Sequence, residues 1–113
     1  MKAVGHERYT QVDSGEWPTS QNRPIAVVAF EPDVFEERYG LKFAIDSDDL
    51  DSLRLAVVQL PSGNVVGLVR YDRSPEPGTM LFADEGSSPA QEQREFLEAF
   101  GLSEADLSWR LQD

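Results

Sequence analysis

The sequence predicts an α+β domain, a mainly antiparallel sheet of about five strands with helices packed on it. Three observations lead there. Two Val- and Leu-rich runs flank the turn sequence PSGN at Pro61–Asn64, the pattern of a β-hairpin. The apolar run Ile25–Phe30 is strand-length and lacks helical periodicity. Three later segments carry helix punctuation, with Pro or Ser at the start and, in two of them, Gly at the end.

Taken in order, residues 1–23 read as a polar, partly irregular N-terminal segment, and 24–113 as a single α+β domain. Within the first segment, Arg8–Val12 fits a short strand, and Gly15, Pro18 and Pro24 make the next stretch a loop. Trp17 in that loop is expected to plug the edge of the core. Pro24–Phe30 has the unalternating apolar character of a strand covered on both faces.

A helix is expected near 32–39. Pro32 suits its first position, Gly40 its left-handed end, and Phe35 and Tyr39 lie one turn apart while Glu36 and Glu37 point outward. Leu41, Phe43 and Ile45 then alternate with Lys42 and Ala44, as in a half-buried strand. The hairpin is expected over 53–60 and 65–72, central in the sheet. Leu60 opposite Val65 would place Ala56, Val58, Gly67 and Val69 on one face and Leu55, Val57, Val66 and Leu68 on the other. Thr79–Asp84 comes next as a further strand, and as an exposed edge it would allow a homodimer.

The helix expected at 89–100 has Ser88 as N-cap, Pro89 next, Gln91 at the capping-box position, and a buried stripe of Phe96, Leu97 and Phe100. A last helix near 104–111 is read from Ser103 and Asp106, with Leu107, Trp109 and Leu111 docking it and Trp109 buried.

With 113 residues and 40% hydrophobic content, the chain suits one core rather than two. It has no cysteine, which excludes a disulfide scaffold, a thiol nucleophile and a thiolate metal site. No apolar leader precedes Trp17, so a cytoplasmic protein is expected. The formal charge of −11 disfavours nucleic acid and anionic membrane as partners. Acidity of this kind serves either solubility or attraction to a basic protein.

Four aspartates fall within AIDSDDLDS: Asp46, Asp48, Asp49 and Asp51. An EF-hand starting at Asp46 fails, because the glycine position is Asp51 and the bidentate glutamate position is Val57. The simpler reading is a turn whose Asp and Ser side chains bond nearby amides, with a helical turn over 48–53 as one form of it. His6, the single histidine, sits in the polar N-terminal segment without a nucleophile elbow, and neither a phosphate-binding glycine loop nor a paired metal ligand accompanies it. No catalytic residue, metal site or cofactor is therefore assigned, and an enzyme is disfavoured. The function expected is a small acidic interaction module, immunity-like or inhibitory, that meets a basic protein through Asp46, Asp48, Asp49, Asp51, Glu36 and Glu37. The alternative is a small-molecule-binding accessory domain with a pocket lined by Arg54, Arg70 and Tyr71.

Overall fold

The computed structural model describes residues 9–13, 15, 17, 21–47 and 51–112. Along these the chain forms β1 (Thr10–Val12), β2 (Asn22–Val28), α1 (Pro32–Tyr39), β3 (Ala44–Ser47), β4 (Ser52–Gln59), β5 (Val65–Tyr71), β6 (Thr79–Asp84), α2 (Pro89–Phe100) and β7 (Leu107–Arg110). The strands build one antiparallel sheet in the order β1–β4–β5–β6–β2–β7, with β3 pairing the other half of β4 beside β1. The α+β class holds, with seven strands among the described residues rather than about five. Beyond the five stand β1, within the short strand read at Arg8–Val12, and β7, each at an edge.

Both helices lie against one face. Phe35 of α1 and Phe96, Leu97 and Phe100 of α2 pack on Val28, Val58, Val66, Leu68 and Leu81. The punctuation read in the sequence is used: the Ser88 hydroxyl accepts the Gln91 amide at 3.3 Å, and Gly40 and Gly101 close their helices with φ of 71° and 68°. Tyr9 ties the N-terminal segment to this core, stacking on Phe100 with 4.2 Å between ring centroids. Its hydroxyl donates to the Tyr39 carbonyl at 2.9 Å, and the Tyr39 hydroxyl donates to the Phe100 carbonyl at 2.9 Å.

The opposite face has its own smaller core, Leu53, Leu55, Val57, Val69 and Phe82, partly covered by Trp17, Val12, Tyr71 and Met80. Trp17 does act as a plug. Its ring lies over Gly67, where an added Cβ would come 2.8 Å from Trp17 Cε3.

The hairpin register differs by one residue from the sequence expectation. Leu60 N donates to Asn64 O and Gly63 N to Leu60 O, both at 2.8 Å, so the loop is the three residues Pro61–Gly63. Gly63, at φ 98°, supplies the positive dihedral that a turn with a one-residue bulge requires. Val66 therefore opposes Val58 and Leu68 opposes Ala56. The shift moves Val66 and Leu68 to the helix-covered face and Gly67 and Val69 to the Trp17 face.

Three further expectations are corrected. The helix near 104–111 is instead one 3-10 turn, Glu104–Asp106, followed by β7. The Ser103–Asp106 capping box forms, but Leu107, Trp109 and Leu111 are spaced by two, and the open edge of β2 captures them as a strand. Gln93 locks this arrangement: its Nε2 donates to Ile25 O at 2.8 Å and Leu111 O at 2.9 Å. Trp109 opposes Val27 on the face without helices and is 46% exposed, not buried. Finally, β6 is interior, paired with β5 and β2, so it offers no free edge for dimerisation.

The half-buried strand read at Leu41–Ile45 is shorter and later. Leu41 is buried as the chain leaves α1, but β3 begins at Ala44 and all four of its residues are exposed, Ile45 by 81%.

Candidate functional site: an acidic hairpin and its exposed edge strand

β3 and β4 pair antiparallel from Ala44–Leu55 to Ser47–Ser52, so Asp46 stands on β3 and Asp51 just before β4. Asp48 and Asp49, like His6 and Arg8, lie outside the described residues. The helical turn expected over 48–53 falls partly outside the described residues, and its last two positions, Ser52 and Leu53, are strand.

The other aspartates bond backbone amides. Asp46 Oδ1 accepts Ser47 N at 2.8 Å, and Asp51 Oδ1 accepts Ser52 N at 2.8 Å. Asp51 Oδ2 accepts Arg73 N at 2.9 Å, tying the hairpin tip to the loop after β5. Glu36 Oε2 accepts Phe43 N at 3.2 Å, which places α1 beside the entry to β3, and Glu37 is exposed on the same helix. Among the described residues no group of three acidic or histidine side chains is placed to hold a metal ion.

Arg54 and Arg70 lie directly opposite each other on β4 and β5. Like charges so placed repel, and each is met by an acid from the α1 entry. Arg54 Nη1 lies 3.1 Å from Asp33 Oδ1, and Arg70 Nε lies 3.2 Å from Glu31 Oε1. Both acids come from the start of α1 rather than from the loops that follow β3 and β5 in the chain. Arg70 Nη1 also donates to Glu76 O at 2.5 Å and Gly78 O at 2.9 Å. Together Arg54 and Arg70 line a cavity of about 230 Å³ with Glu31, Asp33 and Asp72. Tyr71 does not border it; with Arg70, Val27 and Met80 it lines a smaller hollow of about 120 Å³.

Two groups escape a reading of the sequence. Alternation places Ile45 in a half-buried strand, yet all four residues of β3 are exposed and Ile45 is 81% exposed. Glu92 is only 4% exposed. Its Oε2 accepts Asn64 Nδ2 at 2.6 Å, while the neighbouring Glu95 accepts Ser62 N at 2.7 Å and Ser62 Oγ at 2.8 Å. Burial pushes the Glu92 carboxyl pKa up, and the negative charges of Glu95 and Asp84 push it further. A signal for it does exist: Glu92, Phe96 and Phe100 recur at intervals of four, so Glu92 extends the buried stripe of α2.

No helix among the described residues is long and apolar enough to cross a membrane. Neither a family model, nor a curated protein, nor a solved structure matches the chain.

Proposed function

We propose that the chain is a small acidic interaction module of the cytoplasm that binds a basic protein and inhibits it, in the manner of an immunity protein. The observation that carries this reading is β3, a fully exposed edge strand that presents Ile45 beside Asp46 and leads into the acidic tip. An open strand edge offers main-chain hydrogen bonds to an incoming strand, and a bare isoleucine offers an apolar anchor. The net charge of −11 supplies long-range attraction to a basic surface. In this reading Asp46, Asp48, Asp49, Asp51, Glu36 and Glu37 steer the approach of the partner.

The test is affinity capture from lysate at physiological and at several-fold higher salt, with the wild type and an Ile45→Asp variant as baits. A basic protein retained by the wild type at low salt, released at high salt and lost with the variant supports the reading. Its on-rate should then fall in the Asp48→Asn/Asp49→Asn variant. Capture that ignores both salt and Ile45 refutes it.

A further inference from the structure

Both ends of the sheet are open. Among the described strands β3 pairs only with β4, and β7 only with β2. The two large hydrophobic side chains left exposed among the described residues, Ile45 and Trp109, stand one on each of these edges. Edge strands are ordinarily kept from pairing by being short and charged. β3 and β7 are four residues each and carry Asp46 and Arg110, yet each also shows solvent an apolar anchor. The topology makes the two edges complementary. The sheet is six strand positions wide, β3 sharing the first with β1, and every pairing in it is antiparallel. With an even number of positions, β3 and β7 run in opposite directions. A second copy displaced along the sheet therefore brings its β3 antiparallel to β7 of the first, with the helices of both on one side.

We infer that β3 of one copy adds to β7 of another, so that the chain joins to itself edge to edge. The faces fit. Ile45 opposes Arg54, which reaches Asp33 of α1, so Ile45 lies on the helix side. On that side of β7 a groove of about 250 Å³ runs between the strand and α2, with Ala90, Leu97 and Leu111 as its apolar lining, and it receives Ile45. Trp109, on the other side, meets Ala44, a small residue that stands opposite Leu55 on the helix-free face. Main-chain N–H and C=O groups of the two edges pair between these anchors. Charge supports the seating. The groove holds Arg94 and Arg110; Arg94 has no acidic partner among the described residues, and the Glu104 that meets Arg110 at 3.2 Å is exposed. The α1 side of β3 presents the exposed Glu36 and Glu37 to them. The net charge of −11 opposes self-association, but physiological salt screens charges beyond about 8 Å, and the molecule is 26 Å across its shortest axis. The contact is head to tail, so it does not close as a two-fold dimer. A neighbouring copy occupies the edge assigned above to a basic protein, and the two compete for it.

Sedimentation velocity on the purified chain alone, at physiological salt and over micromolar to millimolar concentrations, is the test. The mean mass of the wild type should rise with concentration and pass beyond the dimer. Ile45→Asp spoils β3 and Trp109→Asp spoils β7, and each variant alone should associate about tenfold more weakly or worse. An equimolar mixture of the two should form a one-to-one dimer and stop there, because one intact β3 meets one intact β7 and no further edge is left. A wild type that stays monomeric overturns the inference. So does undiminished association of Ile45→Asp alone, which marks β7 joined to β7, or of Trp109→Asp alone, which marks β3 joined to β3. Folded variants that fail to pair when mixed overturn it too. Far-ultraviolet circular dichroism checks the folding, and Trp109→Ser takes the place of Trp109→Asp if the latter does not fold. No other protein is present, so none of these outcomes decides whether β3 binds a basic partner; capture with Trp109→Asp as bait reads that separately.

Discussion

Gly67→Ala is the sharpest probe of the second face of the sheet. Gly67 has ordinary strand dihedrals, so alanine meets no backbone penalty there. The obstacle is Trp17, whose Cε3 and Cζ3 would lie 2.8 and 3.0 Å from the new Cβ. Carbon atoms rest about 3.5 Å or more apart, so the ring must retreat by roughly 0.7 Å. Overpacking of this kind costs about 1–3 kcal/mol. Replacing a strand glycine by alanine recovers roughly 0.5–1 kcal/mol by restricting the unfolded chain. Gly67→Ala is therefore expected to destabilise by about 1 kcal/mol net. Trp17→Ala alone should cost about 2–3 kcal/mol, below the range for a fully buried tryptophan. In that background the obstacle is gone, and Gly67→Ala should stabilise by roughly 0.5 kcal/mol. Chemical denaturation followed by far-ultraviolet circular dichroism on the four proteins of this cycle measures the coupling, about 1.5 kcal/mol. Equal destabilisation by Gly67→Ala with and without Trp17 would refute the placement of the ring over Gly67.

Arg70 and Arg54 should behave very differently although they face each other. The Arg70 side chain is 20% exposed and holds Glu31 and two loop carbonyls, so Arg70→Ala should cost about 2–3 kcal/mol in denaturant unfolding. Arg54 forms one exposed ion pair and is repelled by Arg70, so Arg54→Ala should stay within about 0.5 kcal/mol of wild type. The tyrosines provide a pH signature. Burial, with Tyr39 adding to it, pushes the Tyr9 pKa up to about 12, and burial raises that of Tyr39 as well. Because the folded-state values exceed the unfolded one, this stability is complete below about pH 10 and is lost as pH rises through about 12. Phenolate absorbance should show late ionisation in the folded protein, and Tyr9→Phe should flatten the alkaline loss of stability.

Local chemistry with an unambiguous periodicity was legible in the sequence. The stripe of α2, its Ser88 cap, the closing glycines and the existence of the central hairpin all depend on residues within a few positions of one another. The hairpin register hinged on whether Gly63 belonged to a three- or four-residue loop, and a single position there exchanges the faces of β5. The capping box at Ser103 is also a local signal, yet it starts only one turn, because the edge of β2 competes for the backbone just beyond it. That competition is tertiary, and its one local trace is the spacing by two of Leu107, Trp109 and Leu111. The candidate site was legible in part. Asp46 and Asp51 bond local amides as turn chemistry suggests, whereas the exposure of Ile45 is a matter of tertiary packing that alternation alone does not carry.

The way the acids are used bears on what the charge is for. Glu31 and Asp33 meet arginines, Asp46, Asp51, Glu36 and Asp84 hold backbone amides, and Glu95 holds the β4–β5 turn. Carboxylates bound in this way give up part of their hydrogen-bonding capacity. They can still contribute to a field that steers a basic partner, since steering depends on charge and distance rather than on free lone pairs. They are less suited to supplying the close contacts that hold a partner once it arrives. On the β3 edge those contacts fall to the open main chain and to Ile45, the largest exposed apolar side chain there. The two roles therefore separate kinetically: Asp48→Asn/Asp49→Asn should slow association, whereas Ile45→Ala should speed dissociation and leave the salt dependence of the on-rate intact.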